Sequence, residues 1–258
     1  MSIESTSNAR PPYLRENLWG YGKRLRFVDG TILRAFPGRE RSDLRVLDVG
    51  CGNGSQLAIP LANGGYDVTA VDPHEPSIQR GRRLAPGVRF HHGIVSDLPL
   101  TRFDCVIISE VLEHLAAPEV LLKMALPYLA EPGILIVTVP NGYGEFELDQ
   151  RFYRALHVEK MIRWLRSMFQ YDKRREDFPS SDDESPHLQR FTLANLYEMF
   201  DRNNLLLIEA RGTSLLSGPF IGHLFGKFEI FVRLNADIAD HLPLSLAAGW
   251  MVALRRAR

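Results

Sequence analysis

The fold of this chain is decided by the stretch Arg45-Val46-Leu47-Asp48-Val49-Gly50-Cys51-Gly52-Asn53-Gly54. An apolar strand runs directly into a loop that has glycine at every second position. Glycine lacks a Cβ atom, so its backbone can take positive φ angles and lie directly against a ligand. Open α/β sheets bind nucleotides at such loops, at the carboxyl ends of parallel strands. The stretch therefore predicts a nucleotide-type cofactor site.

Strands and helices alternate on both sides of this loop. The predicted strands are 45–49, 67–71, 88–91, 103–109 and 134–139, with helices from about Ser55 to Asn63 and over 77–84 and 118–129. The fourth strand is almost wholly apolar, as expected of a strand buried on both faces. Repeated strand–helix alternation predicts an α/β fold with a parallel, doubly wound sheet.

The remainder of the chain does not continue the strand–helix alternation. We predict an amphipathic helix at 151–170, a loop at 172–186, a helix at 192–200, a strand at 205–210, an apolar insertion at 214–243 and a last strand at 248–254. At the other end, residues 14–36 read as helical, with arginines between the apolar positions. Those arginines form either a solvated basic face or a surface over the cofactor site.

Composition narrows the class of protein. The 258 residues suffice for one large domain, or for one domain plus an insertion. The formal net charge is zero, which argues against a protein that binds nucleic acid over its whole surface. Two cysteines do not make a disulfide scaffold, and we find neither a signal peptide nor an apolar run of about 20 residues. We therefore expect a cytoplasmic protein.

Two acidic residues narrow the choice of cofactor. Asp72 lies 20 residues after Gly52, at the end of the next strand, where a carboxylate can accept hydrogen bonds from a ribose. Asp48 lies in the strand beneath the loop, where it can hold loop amides or a ligand ammonium group. The glycine spacing is also not that of a dinucleotide fingerprint. A NAD-dependent oxidoreductase is thus the less favoured alternative.

These motifs resemble those of the class I S-adenosylmethionine-dependent methyltransferases. The matching stretches are Val46–Gly54, Val71-Asp72, Ser96-Asp97-Leu98-Pro99, Ser109–Leu115 and Glu131-Pro132-Gly133. The nearest look-alikes are ubiquinone-biosynthesis O-methyltransferases and bacterial methyltransferases of natural-product or polysaccharide pathways. The resemblance implies a Rossmann-like, mostly parallel seven-stranded sheet with helical insertions after strands five and six.

The resemblance also implies the cofactor and its contacts. S-adenosyl-L-methionine would bind and leave as S-adenosyl-L-homocysteine. The implied cofactor-binding residues are Asp48, Gly50, Cys51, Gly52, Gly54, Asp72, Pro73, Asp97 and Ser109. Asp72 would hold the ribose and Asp97 would lie beside the adenine, where the backbone of Ile94 and Val95 is the alternative contact. Arg26 would reach the cofactor from the N-terminal helix.

Methyl transfer to a hydroxyl is helped by a general base, and histidine is the usual one. His114 is the first candidate because it follows the fourth strand, at the open end of the sheet. The alternative is a helix-capping or core histidine. His187 is a weaker candidate, and Glu110, Asn141 and Tyr143 are weak candidates for substrate contacts.

Glu110, Glu113 and His114 also invite a metal interpretation. Some RNA 2′-O-methyltransferases combine such a motif with paired histidines and magnesium, and their second histidine motif lies shortly after strand five. Here that region reads Pro140-Asn141-Gly142-Tyr143. We therefore expect no metal.

We predict an N-terminal helical cap at 1–36 and a methyltransferase domain at 37–258, with substrate-side insertions at 144–190 and 212–245. The expected reaction is methyl transfer from S-adenosylmethionine to a hydroxyl oxygen of a sugar, lipid-linked or quinone-like small molecule. An RNA 2′-O-methyltransferase and a catalytically silent cofactor-binding module are the alternatives. We expect no nucleic-acid partner, while the apolar insertion could contact a membrane surface or form a homodimer face.

Overall fold

The computed structural model describes residues 16–17, 20–143, 187–216 and 228–257. The predicted helix at 151–170 and loop at 172–186 lie outside these ranges, and so does the centre of the apolar insertion.

One seven-stranded sheet organises the described chain. Its strands are β1 Arg45–Val49, β2 Asp67–Asp72, β3 Arg89–His92, β4 Phe103–Ser109, β5 Leu129–Pro140, β6 Leu205–Gly212 and β7 Gly249–Arg256. Their order is β3-β2-β1-β4-β5-β7-β6. Strands β1 to β5 are parallel, and β7 runs antiparallel to both β5 and β6. The mostly parallel, doubly wound sheet is confirmed.

Helices cover both faces of this sheet. The described α-helices are α1 Tyr21–Ala35, α2 Ala58–Asn63, α3 Glu75–Leu84, α4 Pro118–Ala125, α5 Leu193–Arg202 and α6 Glu229–Ile238. Side chains alternate between the faces along each strand. In β4, Cys105 and Ile107 join the core that contains α1 residues, whereas Val106 and Ile108 join the core that contains α4 and α5 residues. This two-sided burial explains why β4 is almost continuously apolar.

Helix α1 packs directly on the sheet. Leu25, Val28 and Ile32 are at most 1% exposed and share a core with Val46 of β1 and Met251 of β7. The described part of the predicted cap at 1–36 therefore belongs to the hydrophobic core on one face of the sheet.

A buried lysine connects α1 to α6. Lys23 Nζ lies 2.9 Å from Asp240 Oδ1 and donates to the Ala236 carbonyl oxygen at 2.6 Å. The N-terminal helix is thereby fixed to the described end of the 212–245 insertion.

Several element boundaries differ from the predicted ones, and two of these differences have a clear local cause. Helix α2 begins at Ala58 rather than near Ser55, because the Asn53 side chain accepts from the Ser55 amide and keeps the chain in a turn. Pro60 then lies in the first turn of α2, where its missing N–H costs nothing. Strand β5 begins at Leu129 rather than Ile134, because Leu129 pairs with Phe103 before a register shift in β4.

Part of the apolar insertion is visible on α6. Phe228, Ile230 and Leu234 are all more than half exposed, whereas Phe220 and Ile221 lie outside the described residues. The membrane contact and the homodimer face stay predictions. Within the described ranges, no helix combines the length and apolar character needed to cross a bilayer.

Candidate functional site

The site lies at the carboxyl ends of β1, β2 and β4, where an open α/β sheet binds its ligand. Gly50, Gly52 and Gly54 have φ angles of +75°, +54° and +77°. A Cβ atom on Gly50 would overlap the Val111 side chain, and one on Gly54 would lie 2.7 Å from the ring of Phe90. Glycine is therefore required at both positions by conformation and by space.

Asp72 connects the glycine loop to the end of β2. Its Oδ2 accepts from the Gly52 amide and its Oδ1 accepts from the His74 amide, each at 2.8 Å. The residue is half-buried, and each carboxylate oxygen can accept a second hydrogen bond. Asp72 can therefore hold ribose hydroxyls while it fixes the loop.

Asp48 lies beneath the loop and is 3% exposed. Burial, reinforced by the negative charge of Asp72, raises its pKa to about 7, although the Ala58 amide and Arg24 favour the charged form. A cation brought to this end of the site would lower the pKa again. Asp48 is therefore placed to favour a ligand with an ammonium group.

Cys51 lies in the glycine loop and Pro73 follows β2, and both make hydrogen-bond contacts through their backbone atoms. The Cys51 amide donates to the Val71 carbonyl oxygen at 3.2 Å, and burial raises the pKa of its thiol, so Cys51 is a packed loop residue rather than a nucleophile. Pro73 is exposed beside Asp72, and its carbonyl oxygen lies 3.1 Å from His92 Nε2.

The arginine that reaches the site from α1 is Arg24, not Arg26. The Arg24 side chain is 3% exposed, and its guanidinium donates to Gln56 just after the glycine loop. Arg26 is 59% exposed and pairs with Glu16. The sequence held a signal for this, because Arg24 falls on the buried stripe of Val28 and Ile32 at a spacing of four residues.

Contacts between polar side chains link Arg24 to residues at the ends of β4 and β5. Arg24 Nη2 lies 3.3 Å from Glu110 Oε1, and that oxygen accepts from Thr138 Oγ1 at 2.7 Å. Thr138 Oγ1 in turn lies 2.8 Å from Ser109 Oγ. Glu110 has a φ of +54°, a left-handed conformation that is strained for a residue with a Cβ.

Asp97 and Asn141 use their side chains to hold the backbone. Asp97 is exposed, and its Oδ2 accepts from the Ile94 amide at 2.8 Å, which closes its own turn. Asn141 is 6% exposed and donates to the carbonyl oxygens of Ser245 and Ala247. These contacts hold the end of β5 against the segment that precedes β7, and the predicted substrate contact of Asn141 stays a prediction.

Tyr143 is 68% exposed at the last described position before a gap. Its predicted substrate contact stays a prediction.

A cluster of Glu113, His114 and His187 lies beside the end of β4. The amides of Leu188 and Gln189 donate to the Glu113 carbonyl oxygen at 2.8 and 2.9 Å, which brings His187 to the turn that carries His114. The two imidazole rings meet edge to face, with centroids 5.1 Å apart. Sequence reasoning named both histidines, but only the tertiary structure places them together.

Burial changes the pKa of Glu113, the acid of this cluster. Glu113 is 1% exposed, and burial, with the nearby Glu110 carboxylate, raises the pKa of its side chain well above the usual range. Its Oε1 lies 3.7 Å from His114 Nε2.

The residues present fit S-adenosylmethionine. The glycine loop gives a backbone surface without Cβ atoms, and Asp72 offers carboxylate oxygens for a ribose. Arg24 and Asp48 supply one cation and one acid, which suits the carboxylate and ammonium ends of a bound amino acid.

Comparison with protein families supports this interpretation. The model of a family described as "Methyltransferase domain" matches residues 21–210. A ubiquinone biosynthesis O-methyltransferase of Azorhizobium caulinodans is 35% identical over 163 residues, which cover 58% of this chain and 62% of that protein. Its counterpart in Rhodopseudomonas palustris is 28% identical over 182 residues, with coverages of 66% and 68%. The chain thus matches less than two thirds of the Azorhizobium protein.

Solved structures show the same fold at low sequence identity. The [4+2]-cyclase SpnF matches with a TM-score of 0.55 and 15% identity, over 95% of this chain and 89% of that one. The 1,6-didemethyltoxoflavin-N1-methyltransferase of Burkholderia thailandensis, solved with S-adenosylhomocysteine, matches with a TM-score of 0.53 and 18% identity, over 93% and 79%. A cyclase among these structures shows that the fold alone does not fix the reaction.

The family match covers the glycine loop, Asp72 and the β4 motif, and it decides against the NAD-dependent alternative. The chain belongs to the methyltransferase domain family, and its fold and cofactor are those of the class I S-adenosylmethionine-dependent methyltransferases.

Proposed function

We propose that this protein transfers the methyl group of S-adenosylmethionine to a hydroxyl oxygen of a quinone-like small molecule, a phenol or catechol. The names of the bacterial relatives support oxygen as the acceptor atom and a quinone precursor as the acceptor class. The cofactor supplies a methyl group already activated by its sulfonium, so the protein must mainly align the two partners and exclude water.

The position of His114 is the observation that favours a hydroxyl acceptor. Its side chain is 30% exposed on the turn that follows β4, so it can meet both solvent and a bound acceptor. Imidazole is the side chain whose proton affinity suits general-base catalysis near neutral pH. A base at this edge of the sheet serves a hydroxyl that must lose its proton.

In the proposed step the acceptor's O–H bond breaks and its proton passes to the His114 imidazole. The oxygen forms a bond to the methyl carbon, and the electron pair of the carbon–sulfur bond returns to sulfur. The products are the methyl ether, S-adenosylhomocysteine and one proton, which His114 releases to solvent.

Mass spectrometry of products with a short-chain prenylated catechol tests the proposal. We expect one added methyl group on a catechol oxygen, with a rate that falls about 10²–10⁴-fold in His114→Gln, as for loss of a general base. The matched control is His91→Gln on β3, a strand that β2 and β1 separate from β4 in the sheet.

Two results would overturn the proposal. The first is methylation of nitrogen or of an RNA 2′-hydroxyl in preference to the phenol. The second is no transfer to any catechol by a protein that binds S-adenosylhomocysteine, which would favour a silent cofactor-binding module.

A further inference from the structure

We propose that Lys23 is a positioning residue through which the bound cofactor holds helix α6 at the carboxyl edge of the sheet. Lys23 and Arg24 are neighbours in the first turn of α1, and they are only 6% and 2% exposed. Successive helix residues point about 100° apart, so the two side chains leave α1 in different directions. Arg24 contacts Gln56 beside the glycine loop, and Lys23 contacts α6.

Helix α6 is attached to the carboxyl edge of the sheet by a buried asparagine, Asn235. Strands β5 and β6 both run antiparallel to β7, so the carboxyl end of β6 at Gly212 lies at the same edge as those of the parallel strands. Asn235 is 4% exposed, and its side chain donates to the Leu216 carbonyl oxygen at 2.7 Å and accepts from the Leu216 amide at 2.8 Å. Helix α6 therefore packs beside the residues that leave β6 at the cofactor-binding edge.

The Lys23 ammonium group joins α1 to the C-terminal end of α6. Its Nζ donates to the Ala236 carbonyl oxygen at 2.6 Å and lies 2.9 Å from Asp240 Oδ1. Ala236 lies in the last turn of α6, where carbonyl oxygens lack helical partners and carry partial negative charge. A buried ammonium group is costly without such partners, so Lys23 favours one position of α6 relative to α1.

The start of α1 also lies directly against the residue that follows β6. Gly20, the N-cap residue of α1, has a φ of +71°, and a Cβ atom there would lie 3.3 Å from the Thr213 carbonyl oxygen. The Thr213 amide donates to the Gly249 carbonyl oxygen at 3.0 Å, which fixes Thr213 to β7. Contacts at Gly20 and Lys23 thus connect the first turn of α1 with both described ends of the chain between β6 and β7.

Arg24 has an unused hydrogen-bond donor through which the cofactor can act on this turn. Its Nε is buried and, within the described residues, has no hydrogen-bond partner. Native structures nearly always satisfy such atoms, and the carboxylate of a bound S-adenosylmethionine can satisfy this one. Binding would then stabilise the turn of α1 that also carries Lys23, because a ligand shifts the population toward the arrangement that it binds better. Helix α6 is stabilised with that turn.

Hydrogen–deuterium exchange measures this coupling without any methyl transfer. At saturating S-adenosylhomocysteine, established by calorimetry, the amides of α6 should exchange about 5–150-fold more slowly than in the free protein, the usual range of coupling between two sites. Helix α5 is the internal reference, because its core residues lie on the face of the sheet opposite α1. Slower exchange in α5 reports only the general stabilisation that any bound ligand gives.

Lys23→Met is the decisive variant, because methionine is unbranched and apolar and can fill the buried space that the lysine stem occupies. Asp240 is left without its cation, but its side chain is 32% exposed and can be hydrated. This variant should still bind S-adenosylhomocysteine, which should no longer protect α6 more than α5. Lys123→Met on α4 is the matched control, because Lys123 is 61% exposed and pairs only along its own helix with Glu119, so it should keep the full protection.

Asp240→Asn is the second variant, and it decides the question if Lys23→Met does not fold. It keeps the side-chain shape, removes the charge that faces Lys23 and should reduce the protection of α6. Protection of α6 no greater than that of α5 in the unaltered protein would overturn the proposal, as would full protection of α6 in Lys23→Met or Asp240→Asn. The experiment contains no methyl acceptor, so its result is independent of whether the proposed hydroxyl methylation is correct.

Discussion

Arg24 Nη2 lies 3.3 Å from Glu110 Oε1, and this ion pair joins the N-terminal helix α1 to the strained residue at the end of β4. The Arg24 side chain is 3% exposed and that of Glu110 is 31% exposed, so the arginine end of the pair is shielded from bulk water. The helix that the sequence suggested as a cap therefore contributes a charge to the cofactor site.

Arg24→Gln should weaken S-adenosylhomocysteine binding about 10–100-fold, the equivalent of one hydrogen bond to a charged group. The reason is that its guanidinium is the buried cation beside the glycine loop. Isothermal titration calorimetry measures the effect. Arg26→Gln, two residues away on the exposed side of α1, is the matched control and should bind normally. Equal affinities for the two variants would show that Arg24 supports only the fold.

Asp72→Asn should also lower S-adenosylhomocysteine affinity, by about tenfold or more, because an amide accepts more weakly than a carboxylate and has one acceptor oxygen. Asp67→Asn is the control, since Asp67 begins the same strand at the opposite end of the sheet and pairs with Arg89. Calorimetry with both variants separates a site effect from a general effect of removing charge from β2. An unchanged affinity in Asp72→Asn would contradict the ribose assignment.

Gly50→Ala should abolish cofactor binding and lower the melting temperature. Gly50 has a φ of +75°, and its new Cβ would overlap Val111. Gly38→Ala is the matched control, because Gly38 has a φ of +82° but a Cβ atom added there would meet nothing within 4 Å. The control should lose only about 1 kcal/mol of its free energy of unfolding, which is the cost of a positive φ for a residue with a Cβ atom. Similar losses in both variants would mean that the contact with Val111 relaxes freely.

Asp48 gives a pH dependence of stability with a definite sign. Its pKa is raised to about 7 in the folded protein, so the folded state holds a proton that the unfolded chain has already lost above about pH 4. The stabilisation from this group is therefore complete below about pH 4 and is lost as the pH rises through about 7.

Asp48→Asn tests this directly by removing the titration. We expect the melting temperature of the unaltered protein to fall relative to that of the variant between pH 5 and 8, measured by thermal unfolding at closely spaced pH values. Each kcal/mol of difference corresponds to about 2–4 °C for a chain of this size. Parallel pH curves for the two proteins would contradict the raised pKa.

Much of the cofactor side of the site was accessible from the sequence. Gly50, Gly52 and Asp72 come from two adjacent strand ends, and parallel strands bring such ends to one edge of the sheet. Their relation follows from local patterns repeated along the chain. The contacts of Asp97 and Asn141 were harder to predict. Both side chains hydrogen-bond to backbone atoms, Asp97 within its own turn and Asn141 with a segment about a hundred residues later, and sequence position does not reveal such contacts.

The alternation of strands and helices, the parallel part of the sheet and the glycine loop follow from local sequence patterns, because they depend on side-chain periodicity and on backbone freedom at single positions. Only the tertiary structure shows that Arg24 contacts Gln56 and Glu110. It also decided that His187 lies against Glu113 and His114. These contacts join residues far apart in the chain, through side-chain contacts at Arg24 and main-chain hydrogen bonds at Glu113, and no local pattern reports them.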